Sequence, residues 1–178
     1  MSAEADLDLL ENGDHELIRR CSVVSIYEQL GDRDLLVDFC RSLAMKFRDE
    51  LEFQFDWWRF KYLTDRDMAL EAARSAARAD MVFLSTNLPQ LPDYVGGWFD
   101  TWVSNRIRTD GALVLVQNMR HQPADFSGLE NRLGAIARRG GLDYLRVDSS
   151  TLSDFPLLQP GLNEPLNEDQ PMHWGINE

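Results

Sequence analysis

The sequence contains only two cysteines and three histidines in 178 residues. Neither Cys21 nor Cys40 has a second cysteine or a histidine at metal-ligand spacing, which predicts buried thiols in a reducing compartment. The histidines are scattered, so the sequence assigns no metal site and no catalytic residue. No apolar stretch approaches the roughly 20 residues of a membrane span, and the acidic N-terminus does not resemble a signal peptide. These absences favour a cytoplasmic protein without a membrane partner.

Acidic residues outnumber basic ones, and the formal net charge is −12. Most of that charge lies at the two ends, because residues 1–20 carry a net −4 and residues 148–178 a net −6. No basic stripe is present to neutralise phosphates, so the pattern argues against nucleic acid as a partner. We expect an acidic N-terminal arm or short helix at 1–20, one α/β domain at 21–148, and an acidic tail containing proline and asparagine at 149–178.

The clearest structural signal is the segment 80–87 (DMVFLSTN). Its apolar run follows an alanine-rich helical pattern and ends in three small polar residues, which is typical of a parallel strand with helices on both faces. A second apolar strand is predicted at 112–116, and the alternation of apolar and polar residues at 51–56 predicts an edge strand. Further strands are expected at 21–27 and 142–147, with four amphipathic helices between the five strands.

This alternation of strands and helices predicts the α/β class. Right-handed connections then favour a three-layer αβα sandwich around a five-stranded parallel sheet. We expect the flavodoxin-like or receiver-like strand order 2-1-3-4-5, because the alternating second strand suits an edge and the wholly apolar third and fourth strands suit the interior.

Polar residues follow the predicted strands at the edge where the carboxyl ends of a parallel sheet meet. They are Glu28, Arg59, Ser85, Thr86, Asn87, Gln117 and Asn118. One interpretation is a pocket in which Arg59 holds an anionic group while residues 85–87 offer hydrogen bonds. The other is that these are ordinary turn and cap residues, since Ser, Thr, Asn and Asp favour such positions whatever the function.

The loop after the first strand, residues 28–32 (EQLGD), carries no nucleotide-binding signature. It is neither a glycine-rich dinucleotide loop nor a Walker lysine loop, and it lacks the Ser/Thr-rich phosphate loop of flavodoxins. No Gly-x-Ser-x-Gly elbow is present to anchor a hydrolase triad. The sequence therefore leaves the cofactor unknown and makes an enzyme the less favoured class.

The order of elements resembles the receiver fold of response regulators over residues 21–148. A receiver implies a pair of acids after its first strand, where only Glu28 is near, and a phospho-accepting Asp after its third, where this chain has residues 85–87. The receiver's Ser or Thr after the fourth strand is replaced by Gln117 and Asn118. Aspartyl phosphorylation needs the carboxylate nucleophile and a metal beside it, so this resemblance implies a pseudo-receiver.

A second resemblance is to a group of short uncharacterised bacterial proteins. It spans residues 55–116 and is carried by Trp58-x-Phe60, Ala79-Asp80-Met81-Val82, Leu91-Pro92 and Trp98-x-x-x-Trp102. This resemblance supports the predicted fold and gives no information about an activity. The aromatic residues themselves suggest an interface, because the cluster around Trp58 is hard to bury on one strand and Trp98 and Trp102 share a helical face.

Two functions stay open from the sequence alone. The leading interpretation is a non-catalytic, receiver-like regulatory or protein-interaction module that forms a homodimer or binds a protein partner through Trp58, Trp98 and Trp102. The alternative is an enzyme or sensor that binds a small anionic ligand, such as a nucleotide or sugar phosphate, at the carboxyl ends of the strands. The same fold serves both functions and does not choose between them.

Overall fold

Strands and helices alternate strictly along the chain in a computed structural model that describes residues 18–117 and 125–148. The strands are β1 (Arg19–Tyr27), β2 (Leu51–Arg59), β3 (Met81–Ser85), β4 (Ala112–Gln117) and β5 (Asp143–Asp148). The helices are α1 (Leu30–Lys46), α2 (Arg66–Arg78), α3 (Asp93–Ser104) and α4 (Ser127–Gly140), and a 3-10 helix, Phe60–Thr64, follows β2.

The five strands form one parallel sheet in the order β2-β1-β3-β4-β5. In this register Ile26 of β1 lies between Trp58 of β2 and Leu84 of β3. The predicted fold class and strand order are therefore confirmed. The order reverses between β1 and β3, because the chain runs outward to β2 and then returns to the other side of β1.

Helices cover both faces of the sheet and complete the three layers. On one face α2, α3 and α4 pack over apolar side chains such as Val82, Leu84 and Leu113, and the alanines of α2 let that helix approach closely. On the other face α1 covers Val23, Phe83 and neighbouring side chains. Consecutive strand residues point to opposite faces, so the unbroken apolar run of β3 supplies both cores.

Burial of the tryptophans corrects the interface proposed for them. Trp58, Trp98 and Trp102 are 2%, 3% and 0% exposed, and the indole of Trp98 donates to the Ala69 carbonyl at 3.0 Å. Trp58 lies in the core beneath α2 and α3, while its neighbour Trp57 packs on the opposite face with α1. The adjacent tryptophans are both buried because each face of β2 has its own cover, so these side chains do not offer a surface to a partner.

Some element boundaries differ from the sequence pattern. Strand β1 begins at Arg19, inside the expected arm 1–20, because its pairing with β2 extends to Leu51. The rest of that arm and the tail 149–178 lie outside the described residues. Within the described ranges, no helix combines the length and the apolar character that crossing a membrane would need.

Asp80 ties β1 to β3 at the amino edge of the sheet. Its Oδ2 accepts from the Ser22 amide at 2.7 Å and from the Ser22 hydroxyl at 2.8 Å, and its Oδ1 lies 2.8 Å from Nη2 of Arg108. Burial alone raises the pKa of the Asp80 carboxyl, but the Ser22 hydrogen bonds and the Arg108 charge outweigh it and hold the pKa below its ordinary value of 3.8.

We expect Asp80→Asn to lower the free energy of unfolding at pH 7 by about 1 to 2 kcal/mol, since a hydrogen-bonded charge pair is lost. Because folding lowers the pKa of Asp80, its contribution is present above the unfolded pKa and is lost as the pH falls through the lowered folded value. Urea unfolding from pH 7 down to pH 2 would therefore show the two proteins converging in acid. Asp110→Asn is the control, because the Asp110 side chain is 76% exposed, and an equal loss in both variants would contradict the role of Asp80.

Candidate functional site

A pocket of about 230 Å³ opens at the carboxyl ends of the central strands. Its lining comes from the start of α1 and from the ends of β3 and β4, and consists of Gly31, Asp32, Leu35, Ser85, Thr86, Asn87 and Gln117. The pocket therefore lies where the strand order reverses between β1 and β3. Open α/β sheets bind their ligands at this position, because the connections leave the two strands toward opposite faces and a crevice remains between them.

Asp32 is the acidic group of the pocket, although its side chain is only 4% exposed. Its Oδ2 accepts from the Gln29 amide at 3.0 Å and its Oδ1 from the Asn87 side-chain amide at 2.9 Å. Burial raises the pKa of the Asp32 carboxyl, the Gln29 hydrogen bond opposes that rise, and the nearby Glu28 charge adds to it. Asp32 thus joins the first turn of α1 to the end of β3 and places a buried acid in the pocket wall.

Thr86 holds the side chain of Glu28 beside the pocket. Its hydroxyl donates to Oε2 of Glu28 at 2.8 Å and accepts from the Leu88 amide at 3.1 Å. The Glu28 backbone amide also donates to the Ser85 carbonyl at 3.3 Å. These contacts bring the end of β1 against the end of β3, so a second carboxylate lies next to Asp32.

Arg59 has a different role from the one predicted. Its Nε donates to the Glu28 backbone carbonyl at 3.1 Å, and it is not among the residues that line the pocket. Among the residues that the structure describes, the pocket lining contains no lysine or arginine. The guanidinium thus connects the ends of β1 and β2, and the prediction that Arg59 holds an anion inside this pocket is wrong.

The other predicted site residues divide into three groups. Ser85, Thr86, Asn87 and Gln117 line the pocket, Glu28 lies beside it, and Asn118 falls outside the described residues. Asp32 was missed because an acid at the third position of a helix is an ordinary capping residue. A usable signal was its place in the first turn of the helix that follows the first strand, at the predicted reversal of the strand order. In the described ranges, the pocket included, no three His, Cys, Asp or Glu residues are grouped to hold a metal ion.

Several solved structures are similar to this chain. FerB, a flavoenzyme NAD(P)H:(acceptor) oxidoreductase from Paracoccus denitrificans, is 14% identical over 71% of this chain and 75% of its own, with a TM-score of 0.41. A flavodoxin-like domain from Synechococcus is 18% identical over 71% of this chain and 81% of its own, with a TM-score of 0.42. The fold is flavodoxin-like. No protein-family model and no curated protein matches the chain.

These neighbours correct the leading interpretation from the sequence. They are a flavoenzyme and a flavodoxin-like domain, not a receiver, so the interpretation as a non-catalytic receiver-like module is wrong, and the alternative of a small-ligand site fits better. At such low identity a likeness establishes the fold alone. The nature of the ligand has to be argued from the pocket itself.

Proposed function

We propose that this protein binds a small organic molecule in the pocket formed by the start of α1 and the ends of β3 and β4, through uncharged hydrogen-bonding groups of that molecule. The observation that carries the proposal is the pocket itself, in which Asp32, Thr86 and Gln117 are all at most 4% exposed. Buried polar side chains that converge on a crevice at the strand-order reversal are the usual mark of a ligand site.

The charges around the pocket favour an uncharged group over a phosphate. Asp32 and Glu28 would repel an anion, and none of the described residues that line the pocket is a lysine or an arginine to offset them. The N-terminus of α1 would normally attract an anion, but the Asp32 carboxyl already accepts the Gln29 amide there. The sequence suggested a small anionic ligand. The charges around the pocket favour instead a ligand whose buried part is neutral.

The volume of the pocket limits how much of the ligand can be buried. At about 230 Å³ it is smaller than the roughly 300 to 1,000 Å³ of ordinary ligand clefts. One ring or one sugar fits this space, and any further group of the ligand extends toward solvent. The pocket serves an enzyme or a sensor equally well, so the proposal stops at binding.

A thermal-shift screen with paired ligands tests the proposal. Each pair contains a neutral compound and its phosphate: riboflavin with FMN, uridine with UMP, and ribose with ribose 5-phosphate. We expect at least one neutral compound to raise the melting temperature by about 5 to 10 °C at 100 times its dissociation constant, where binding contributes about 2.7 kcal/mol. Binding of the phosphates alone would restore the anionic alternative, and no binding across all pairs would overturn the proposal.

Two asparagine variants test whether the ligand binds in this pocket. Asn87→Ala removes the amide that orients Asp32, so we expect at least tenfold weaker binding, measured by calorimetry with the neutral compound that the screen identifies. Asn105→Ala is the matched control, because Asn105 lies at the C-terminal cap of α3 and its side-chain amide donates to the Thr101 carbonyl of the same helix. Equal losses in the two variants would place the ligand elsewhere.

Other expectations from the sequence stay predictions. Cytoplasmic location, self-association and the likeness to the group of short bacterial proteins belong to this class. A homodimer, if it forms, uses a surface other than Trp58, Trp98 and Trp102, which are buried within one chain.

A further inference from the structure

The Gln117 side chain is buried without hydrogen-bond partners at the pocket. Gln117 ends β4 and is 1% exposed, and neither its Nε2 nor its Oε1 has a partner in the part of the chain that the structure describes. Two other polar side chains of the pocket are paired, Asp32 with Asn87 and Thr86 with the Leu88 amide. The unpaired amide of Gln117 therefore differs from these paired side chains.

An unpaired buried amide is unfavourable for the folded protein. Water is lost from both the donor and the acceptor, and no protein group replaces it. Buried polar groups in native proteins nearly always have partners, so each exception needs a cause. Trp102 Nε1 and Tyr144 Oη also lack a partner within the described residues, but neither Trp102 nor Tyr144 is among the residues that line the pocket, whereas Gln117 is.

We propose that Gln117 recognises a ligand group in which a donor and an acceptor stand side by side, as in a lactam, an imide or a primary amide. This inference rests on the proposed function. The carboxamide carries two N–H donors and a carbonyl acceptor at one end, so it forms two parallel hydrogen bonds with such an edge, as asparagine and glutamine do with adenine. Either orientation of the amide gives this pairing, because turning it over exchanges donor and acceptor.

The test uses ligand pairs that differ only in this edge. Uridine and riboflavin each carry an imide N–H between two carbonyls, and their N3-methyl derivatives lack that donor. We expect the wild-type protein to bind at least one of the parent compounds tenfold or more tightly than its methylated derivative. Calorimetry or fluorescence titration measures both affinities.

Gln117→Met keeps the length of the side chain and removes both polar atoms. We expect it to weaken binding of the preferred parent compound at least tenfold and to abolish the discrimination against methylation. The melting temperature of the unliganded variant should equal or exceed that of the wild type, because two unpaired polar atoms leave the interior. Gln54→Met, at an exposed position of β2, is the matched control and should change neither property.

The outcomes separate this inference from the proposed function. If the wild type binds none of the compounds in the screen, both are overturned. If it binds one and Gln117→Met binds the same compound equally well, the role of Gln117 is overturned while the binding function stands. A melting temperature lowered by more than about 5 °C in unliganded Gln117→Met would show that the amide has a structural role, which also overturns the inference.

Discussion

Replacing Trp102 by alanine is expected to lower the free energy of unfolding by about 3 to 5 kcal/mol, because a fully buried aromatic side chain is lost and a cavity remains. Trp102 is 0% exposed and packs against Trp98 and Phe99, with ring centroids 5.8 Å and 5.7 Å away. Guanidinium unfolding followed by circular dichroism measures the change. Such a loss approaches the whole stability of an ordinary domain.

Tyr94→Ala provides the control on the same helix. The Tyr94 side chain is 42% exposed, so we expect its removal to cost less than about 1 kcal/mol. If Trp102→Ala instead kept its stability and converted a dimer into a monomer, the burial of Trp102 would be contradicted and the interface suggested by the sequence would return. Sedimentation of both variants distinguishes these results.

The second large effect is expected at Gly111, where the chain enters β4. Its φ of +130° lies in a region that residues with a side chain rarely adopt, and an added Cβ would overlap the backbone carbonyl oxygen of Asp80. That oxygen accepts the Ala112 amide at 3.1 Å, so it does not move away without breaking a link between β3 and β4. We expect Gly111→Ala to cost about 2 to 4 kcal/mol, from backbone strain together with the steric overlap.

Gly97→Ala is the same substitution at a position that has room for a side chain. Gly97 lies exposed within α3, and an added Cβ meets nothing within 4 Å. It should stabilise the protein by about 0.5 to 1 kcal/mol, because alanine is the better helix former. Parallel urea titrations of the two variants should thus shift in opposite directions, and a shift of Gly111→Ala toward higher stability would refute the strain at β4.

The fold was largely predictable because its elements carry local patterns. Met81–Ser85 and Ala112–Gln117 are central strands with continuous apolar runs, and the helices repeat apolar residues every three or four positions. Right-handed connections then restrict the strand orders to few. The end of the second strand was harder to predict, because its aromatic residues resemble an exposed patch until the helices on both faces are in place.

The candidate site was predictable in part. Residues 85–87 and Gln117 were expected together because the carboxyl ends of parallel strands meet at one edge. The role of Arg59 was predicted wrongly because its partner is the backbone carbonyl of Glu28, just after β1. Every residue has a backbone carbonyl, so such a partner cannot be recognised from the residue types in a sequence. Asp32 was missed because the same residue type caps helices throughout proteins, and only its burial at 4% exposure makes it unusual.

By itself, the sequence determined the class of the fold, the order of the strands and the edge of the sheet where polar residues gather. Periodicity and chain connectivity carry this information, and both are properties of neighbouring residues along the chain. Only the tertiary structure decided that the tryptophans are core, that Asp32 is buried and that the Gln117 amide has no partner. Burial and hydrogen-bond pairing depend on which distant segments pack against a residue, so they become known only when all the elements are assembled.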